Sequence, residues 1–456
     1  MKLLIISDAP ILFKNKENVA YAPYVKEMNI WMKYATSTTY VCPTRYHRSL
    51  LTKAFDRQDF EIKSVRRLEF HSLFSAIFSF LSIPYQFIVL CFAFAKADHI
   101  HLRCPGNLAL LASMVQILFP SKRKTVKYAG NFDPQALQPM AYRWQKKLLS
   151  NTFLSKNIKV LVYGDWPGQT KNIQAFFTAT YRRNQIQPVA NRNWNGPYKA
   201  VFVGTMGANK RPLEVFELIK ELRANGIAIS LDYYGDGPLK AVIENRVKAA
   251  GLEDHISLHG NVENSIVTQA YKKAHFSFLL SKSEGWPKAV AEAMFWGCIP
   301  VASKVSCVHW MLGIATSNFQ LPTSNADKQT YPLGLGKALD ASSSDSRERL
   351  QNKETYPLGL GKGFDVSSSD SRERLQNEET NPSELGKGMD STQRGILIND
   401  ISQAGTLAEE YLKHPEFLQQ VSQAAAAWSQ QYTLDDFERE IALLLKETHP
   451  SKAPKK

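Results

Sequence analysis

SKSEGWPKAVAEAMFWGCIPVA, residues 281–302, holds a turn, one helix, a second turn and the start of a strand. The run before it, FSFLL at 276–280, reads as a buried strand. Glu284-Gly-Trp-Pro287 breaks that strand. Pro287 suits the first turn of a helix, where a missing N–H costs nothing. Lys288–Trp296 has helical character, Gly297 supplies the stop, and Ile299–Ala302 opens a new strand. Glu284 falls on the loop and Glu292, eight residues on, falls on the helix. Free N–H groups at a helix start bind phosphate, and carboxylates accept hydrogen bonds from sugar hydroxyls. The stretch therefore suits an anionic, polyhydroxylated ligand. An amphipathic helix with one solvated Glu is the ordinary alternative.

Working outward, the same alternation fills the region from about 198 to 310. Strands at Ala200–Val203, Ile229–Tyr234 and Ile256–Leu258 alternate with helices at Pro212–Ala224, Leu239–Ala250 and Asn264–Ala274. Glycine-bearing turns follow the strands at Gly204–Lys210, Gly235-Asp-Gly-Pro238 and Gly260-Asn-Val262. This is a doubly wound α/β domain. Upstream, the polar segment Arg182–Pro197 reads as a linker, and before it the pattern runs again. Lys2–Ser7, Thr39–Pro43, His99–Arg103, Thr125–Ala129 and Lys159–Tyr163 read as strands; Tyr24–Tyr34, Leu108–Leu118 and Arg143–Leu154 read as helices. Ala9–Tyr24 reads as a loop, and Arg45–Arg67 is polar and basic. The 456 residues thus divide into a first domain over 1–190, a second over 198–430, and a final helix with its tail over 431–456.

Two stretches stand apart. Leu73–Ala95, LFSAIFSFLSIPYQFIVLCFAFA, is uncharged and just long enough to cross a membrane. Pro84 and several polar residues interrupt it, so it reads as two helical pieces, partly buried and docked on a bilayer, rather than as a span. Residues 331–390 hold a tandem repeat of period 25: YPLGLGKALDASSSDSRERLQNKET, then YPLGLGKGFDVSSSDSRERLQNEET, then NPSELGKGMD. Its Gly, Ser and charge read as a flexible insertion in the second domain rather than core. The tail SKAPKK reads as disordered.

Charge divides unevenly. Residues 1–198 carry 27 Lys and Arg against 10 Asp and Glu, a balance of +17, while the remainder carries 29 against 32. The first domain therefore faces an anionic partner: a membrane surface fits, and no nucleic-acid motif accompanies the charge. A merely solubilising basic surface is the plainer alternative. Five scattered cysteines without paired spacing suggest neither a disulfide framework nor a zinc site, and point to a reducing compartment. The N-terminal MKLLIISDAP turns polar too soon for a signal peptide and reads as a first strand, in keeping with a cytoplasmic chain, peripheral on the inner face of the membrane.

The second domain resembles the retaining glycosyltransferases of family 4, which have the GT-B fold: two Rossmann-like domains facing a cleft. FVGTMGANK (202–210) resembles the family's phosphate loop, YGDGPL (234–239) its second turn, GNV (260–262) the loop bordering the base, and SEGWPKAVAEAMFWGCIPVAS (283–303) its paired-Glu signature. The resemblance implies a nucleotide-sugar donor held by Gly204, Thr205, Lys210, Arg211, Gly235, Gly237, Asn261 and Val262, and by Glu284, Gly285, Trp286, Pro287, Lys288 and Glu292. Lys210 would neutralise the departing diphosphate, Glu284 would lie by the donor sugar, and Glu292 would bind the ribose. The family commonly has Arg where this chain has Thr205, and Arg211 is the nearby cation that could substitute. In the first domain, His101 and Arg103 are both candidates for the family's strand-end contact to the donor sugar, and spacing does not choose between them. Gly130-Asn-Phe-Asp133 is a second contact loop. The resemblance also implies that the final helix, in 431–456, crosses back onto the first domain.

The resemblance implies a hexosyltransferase-like, metal-independent enzyme with no cofactor beyond its nucleotide-sugar substrate; the sequence has no Asp-x-Asp motif to imply a bound metal. The acceptor suggested by the basic first domain and by 73–95 is a cell-surface polysaccharide or a lipid-linked oligosaccharide. Two other readings stand beside it: a nucleotide-sugar epimerase or hydrolase on the same fold, and a non-catalytic scaffold of a surface-polysaccharide assembly complex.

Overall fold

A computed structural model describes residues 1–46, 50–314 and 393–448. The repeat at 331–390 and the tail after 448 lie outside the described residues.

The first domain is built on a seven-stranded sheet, β10-β9-β8-β7-β1-β4-β6, with every pairing parallel. Its strands are β1 (Lys2–Ser7), β4 (Ser37–Cys42), β6 (Glu61–Ser64), β7 (His99–Cys104), β8 (Arg123–Tyr128), β9 (Ile158–Tyr163) and β10 (Ile173–Phe176). Continuous apolar runs such as LLII in β1 and VLV in β9 suit strands buried on both faces. Helix α1 (Ala22–Lys33) lies on one face, its Trp31 against His101 of β7; α2 (Leu73–Lys96), α3 (Asn107–Val115) and α4 (Met140–Ser150) pack side by side on the other.

Two local expectations are corrected. Ala9–Tyr24 is not a loop: β2 (Leu12–Lys14) and β3 (Glu17–Tyr21) form an antiparallel hairpin, extended by β5 (Thr52–Ala54). Its turn residues Asn15 and Lys16 take positive φ, +50° and +65°, which suits the twist of a two-residue hairpin. Nor is 73–95 two pieces. α2 is one helix of 24 residues with Pro84 inside it. Hydrogen bonds hold it on both sides of the proline: Ser79 Oγ accepts from Glu69 N–H at 2.9 Å, and Gln86 Nε2 donates to the Arg66 carbonyl at 3.0 Å. Leu90, Ala93 and Phe94 then bury in the domain core.

The second domain has a six-stranded parallel sheet, β13-β12-β11-β14-β15-β16. Its strands are β11 (Tyr198–Val203), β12 (Ile229–Tyr234), β13 (Ile256–Leu258), β14 (Phe276–Leu279), β15 (Ile299–Ser303) and β16 (Ile396–Ile398). The helices between them are α5 (Pro212–Ala224), α6 (Lys240–Ala249), α7 (Asn264–Lys273), α8 (Lys288–Phe295) and the short α9 (Val308–Met311). After β16 come α10 (Ala404–Leu412), α11 (Pro415–Ser429) and α12 (Leu434–Thr448). α12 returns to the first domain: Phe437 packs on Phe176 and Phe177, and Glu438 pairs with Lys33 of α1. Asp435 and Asp436, in its first turn where negative charge suits the helix dipole, accept from Arg182 and Arg183 at 2.8 and 2.5 Å.

Candidate active site between the domains

The donor-side residues gather where the second sheet's strands end. Gly204 closes β11, and its N–H donates to the Tyr234 carbonyl at 2.9 Å. Met206 N–H donates to Asp236 O at 2.9 Å, Leu239 N–H to Met206 O at 3.0 Å, and Gly235 N–H to Gly260 O at 2.8 Å. Backbone is thus knitted to backbone across the three turns that the sequence singled out. Only glycine fits at two of these contacts. A Cβ on Gly235, at φ +137°, would strike the Gly204 carbonyl, and one on Gly237 would come within 2.6 Å of the Met206 carbonyl.

The fourth turn joins the other three. Lys282 N–H donates to Asn209 O at 2.8 Å, and Asn209 Nδ2 donates to Ser283 O at 3.0 Å. These bonds bring Lys210 and Glu284 together, Nζ to Oε1 at 2.5 Å, both side chains mostly covered. The cation after the first turn and the loop carboxylate therefore form one ion pair across 74 residues of sequence. Thr205 lies in the same loop, its carbonyl accepting from Gly207 N–H at 2.9 Å. In the turn at 260–262 Asn261 is exposed, and Val262 packs on the cluster around Tyr234 and Tyr271.

Arg211 behaves differently. It caps α5 with φ +52°, and its guanidinium lies 3.8 Å from Glu214 on its own helix, so it is held by a neighbour.

Glu292 sits in the hinge. Its Oε1 accepts from Thr180 Oγ1 at 2.6 Å, in a narrow pocket with Trp286, Lys288 and Tyr432. Burial raises its pKa, against the pull of Thr180, Lys288 and Lys26. Lys288 is exposed within the cleft yet walled closely enough that burial lowers its ammonium pKa. Gly285 has the first domain directly against it: an added Cβ would strike the Ala129 carbonyl. Trp286, behind Pro287 at the head of α8, packs on Tyr163 of the first domain with ring centres 5.5 Å apart.

On the first-domain side the structure separates the two strand-end candidates. His101 is fully buried, its ring 3.9 Å from that of Trp31 and its Nδ1 3.0 Å from Thr125 Oγ1. It is a fully covered core residue, and the expectation of a substrate contact is corrected for it. Arg103 lies one pleat further along the same face of β7, at the strand end, and is part-exposed. Its Nη1 donates to Glu27 Oε1 at 2.5 Å. Burial alone would raise the pKa of Glu27, but Arg103, with Lys127 and Lys288, brings it below the usual value.

Glu27, Lys127 and Thr180 were not found from the sequence. Lys127 is fully buried, donating to the Phe177 carbonyl at 2.8 Å under the rings of Tyr163 and Phe176. Burial pushes its pKa down to about 7. A charged residue inside the strand RKTVKY was the only available signal.

Two parallel-sheet domains, with a cation, a carboxylate and glycine-pinned turns between them, define a GT-B architecture. Residues 183–329 match the family model of glycosyl transferases group 1. The fold is shared with a glycosyltransferase from Rickettsia africae (11% identity, 99% of each chain, TM-score 0.58). It is shared also with HepE from Anabaena, solved with UDP and glucose (10%, 98% of this chain and 99% of that one, 0.56). Sucrose-phosphate synthase from Thermosynechococcus elongatus is a third relative in fold (13%, 98% of each, 0.54). No curated protein matches the chain in sequence.

Proposed function

We propose that the chain transfers a sugar, with retention, from a nucleoside-diphosphate sugar to a cell-surface polysaccharide or a lipid-linked oligosaccharide, working in the cytoplasm on the inner face of the membrane. The observation that carries this reading is the Lys210–Glu284 pair, set where four turns of the second domain meet. A donor would exchange that pair for its own contacts. Lys210 turns to the diphosphate, and Glu284, freed, accepts from the sugar hydroxyls. Glu292 takes the ribose hydroxyls in the place of Thr180, and the head of α8 adds backbone N–H groups beside the diphosphate. Lys288 from the second domain and Arg103 from the first, each within reach of the other's charge, leave positive charge around the reacting centre.

The bond from the anomeric carbon to the diphosphate oxygen breaks with its electron pair going to that oxygen. The acceptor hydroxyl attaches on the same face and passes its proton to the departing phosphate. Lys210 stabilises the charge that grows on the leaving group, so the reading requires neither a metal nor a protein nucleophile. UDP-sugars head the donor panel because HepE was solved with UDP-glucose. The test is a nucleotide-sugar panel read by thermal shift, then transfer with the best donor and the product's anomeric configuration read by NMR. A product with the donor's configuration supports the reading; inversion, or epimer or free sugar from donor alone, defeats it.

A further inference from the structure

α2 is unusually exposed for a helix so apolar. It is the one helix among the described residues long and apolar enough to cross a membrane. Yet it cannot cross one in this fold, because Ser79 and Gln86 are bonded to the segment 66–69 and Leu90, Ala93 and Phe94 are core. It lies along the domain instead, over about 36 Å at 1.5 Å per residue. Among the described residues, 24 large apolar side chains are exposed; ten are on α2 and seven more fall between Met114 and Leu154, on and beside α3 and α4. Scattered apolar exposure is ordinary, but this concentration on one face is not.

The direction of α2 gives the face a meaning. The helix runs antiparallel to the strands it covers, so its N-terminal end lies at the sheet edge that borders the cleft. Asn107, just after β7, confirms the placement by donating to the Leu68 carbonyl at 2.8 Å. That end is also the more exposed: Leu73 at 78%, Phe74 at 71%, Leu81 at 72%. Across the same edge, Met140 and Trp144 of α4 are 72% and 62% exposed, downstream of the loop that abuts Gly285.

We propose that this face, led by Leu73, Phe74 and Leu81 and joined by Met140 and Trp144, enters the headgroup–acyl boundary of an anionic bilayer, with α2 in the membrane plane and the cleft mouth at the lipid surface. Charge selects a bilayer over a second copy of the chain. The first 198 residues carry +17, and cations sit over apolar rings on this face: Arg66 over Phe78 at 5.0 Å and Lys156 over Phe153 at 5.2 Å. Two such faces brought together would bury like charge, whereas anionic headgroups would neutralise it. The inference rests on the transferase reading for its purpose: an acceptor whose tail stays in the bilayer meets the cleft without leaving the membrane.

The experiment is flotation of the full chain with phosphatidylcholine vesicles, with and without phosphatidylglycerol. Wild type is expected to float with the anionic vesicles, less at high salt. Each large apolar side chain withdrawn should weaken partition about tenfold, so Phe74→Glu with Leu81→Glu should cost about a hundredfold. The thermal shift given by UDP reports that the double variant is folded, and quenching of wild-type fluorescence by brominated lipid, lost in Trp144→Phe, reports contact independently of it. Two results overturn the proposal: wild type that stays out of the anionic vesicles, or a dimer that the double variant dissolves. Vesicle binding without response to any nucleotide sugar would sink the transferase reading alone, and transfer to a soluble acceptor without vesicle binding would sink the docking alone.

Discussion

At the scale of the residue, alternation and strand position decide which side chains reach the cleft. His101 and Arg103 share one face of β7, but His101 lies under Trp31 while Arg103 reaches the cleft edge. Burial first, then Arg103, His99 and Lys127, holds the His101 pKa well below 6.5. The fold therefore favours the neutral ring, and the unfolded chain binds more protons. The His101 contribution is intact above pH 6.5 and is lost as pH falls below it, by up to about 1.4 kcal/mol per unit. Urea unfolding at pH 7.5 and 5.5 should show this loss in wild type and a smaller one in His101→Gln. Glu292→Gln keeps the shape of the pocket and removes a charge. It should weaken nucleotide-sugar binding by about 1.5–3 kcal/mol, the cost of a charged hydrogen bond, read by calorimetry. Lys210 and Glu284 were each singled out because their loops resemble the family's phosphate loop and paired-Glu signature, but their ion pair was not, because it forms across 74 residues of sequence. The Arg103–Glu27 pair was not, because 76 residues separate its members and neither sits in a motif.

At the scale of the element, the second domain was legible almost throughout because its helices are amphipathic and its turns carry glycine. Failure came where a local rule met a tertiary one. Pro84 reads as a break, yet bonds from Ser79 and Gln86 to one neighbouring segment carry α2 across it. The β2–β3 hairpin was missed because its strands are three and five residues long and bury only Val19 and Ala20, too few to show a period. If α2 is continuous, Pro84→Ala should stabilise the chain by about 1–3 kcal/mol, the penalty of an interior proline. Denaturant unfolding checks this, and a loss of stability would count against a continuous helix.

At the scale of the molecule, α12 ties the ends of the chain together. Phe437 is buried against Phe176 and Phe177, close to the buried Lys127, and the acidic first turn holds Arg182 and Arg183 of the linker. Nothing local in LDDFEREIALLLKET fixes its partner; only the resemblance suggested a return to the first domain. Phe437→Ala should cost about 3–5 kcal/mol and, because it loosens the hinge, reduce turnover more than nucleotide binding; denaturant melts and steady-state kinetics separate the two. The central claim, that donor chemistry occurs where Lys210 meets Glu284, is tested most directly by nucleoside-diphosphate release from the best donor in the presence of acceptor. The account predicts acceptor-dependent release that falls about 10²–10³-fold in Lys210→Ala with the fold intact; release undiminished in that variant would contradict it.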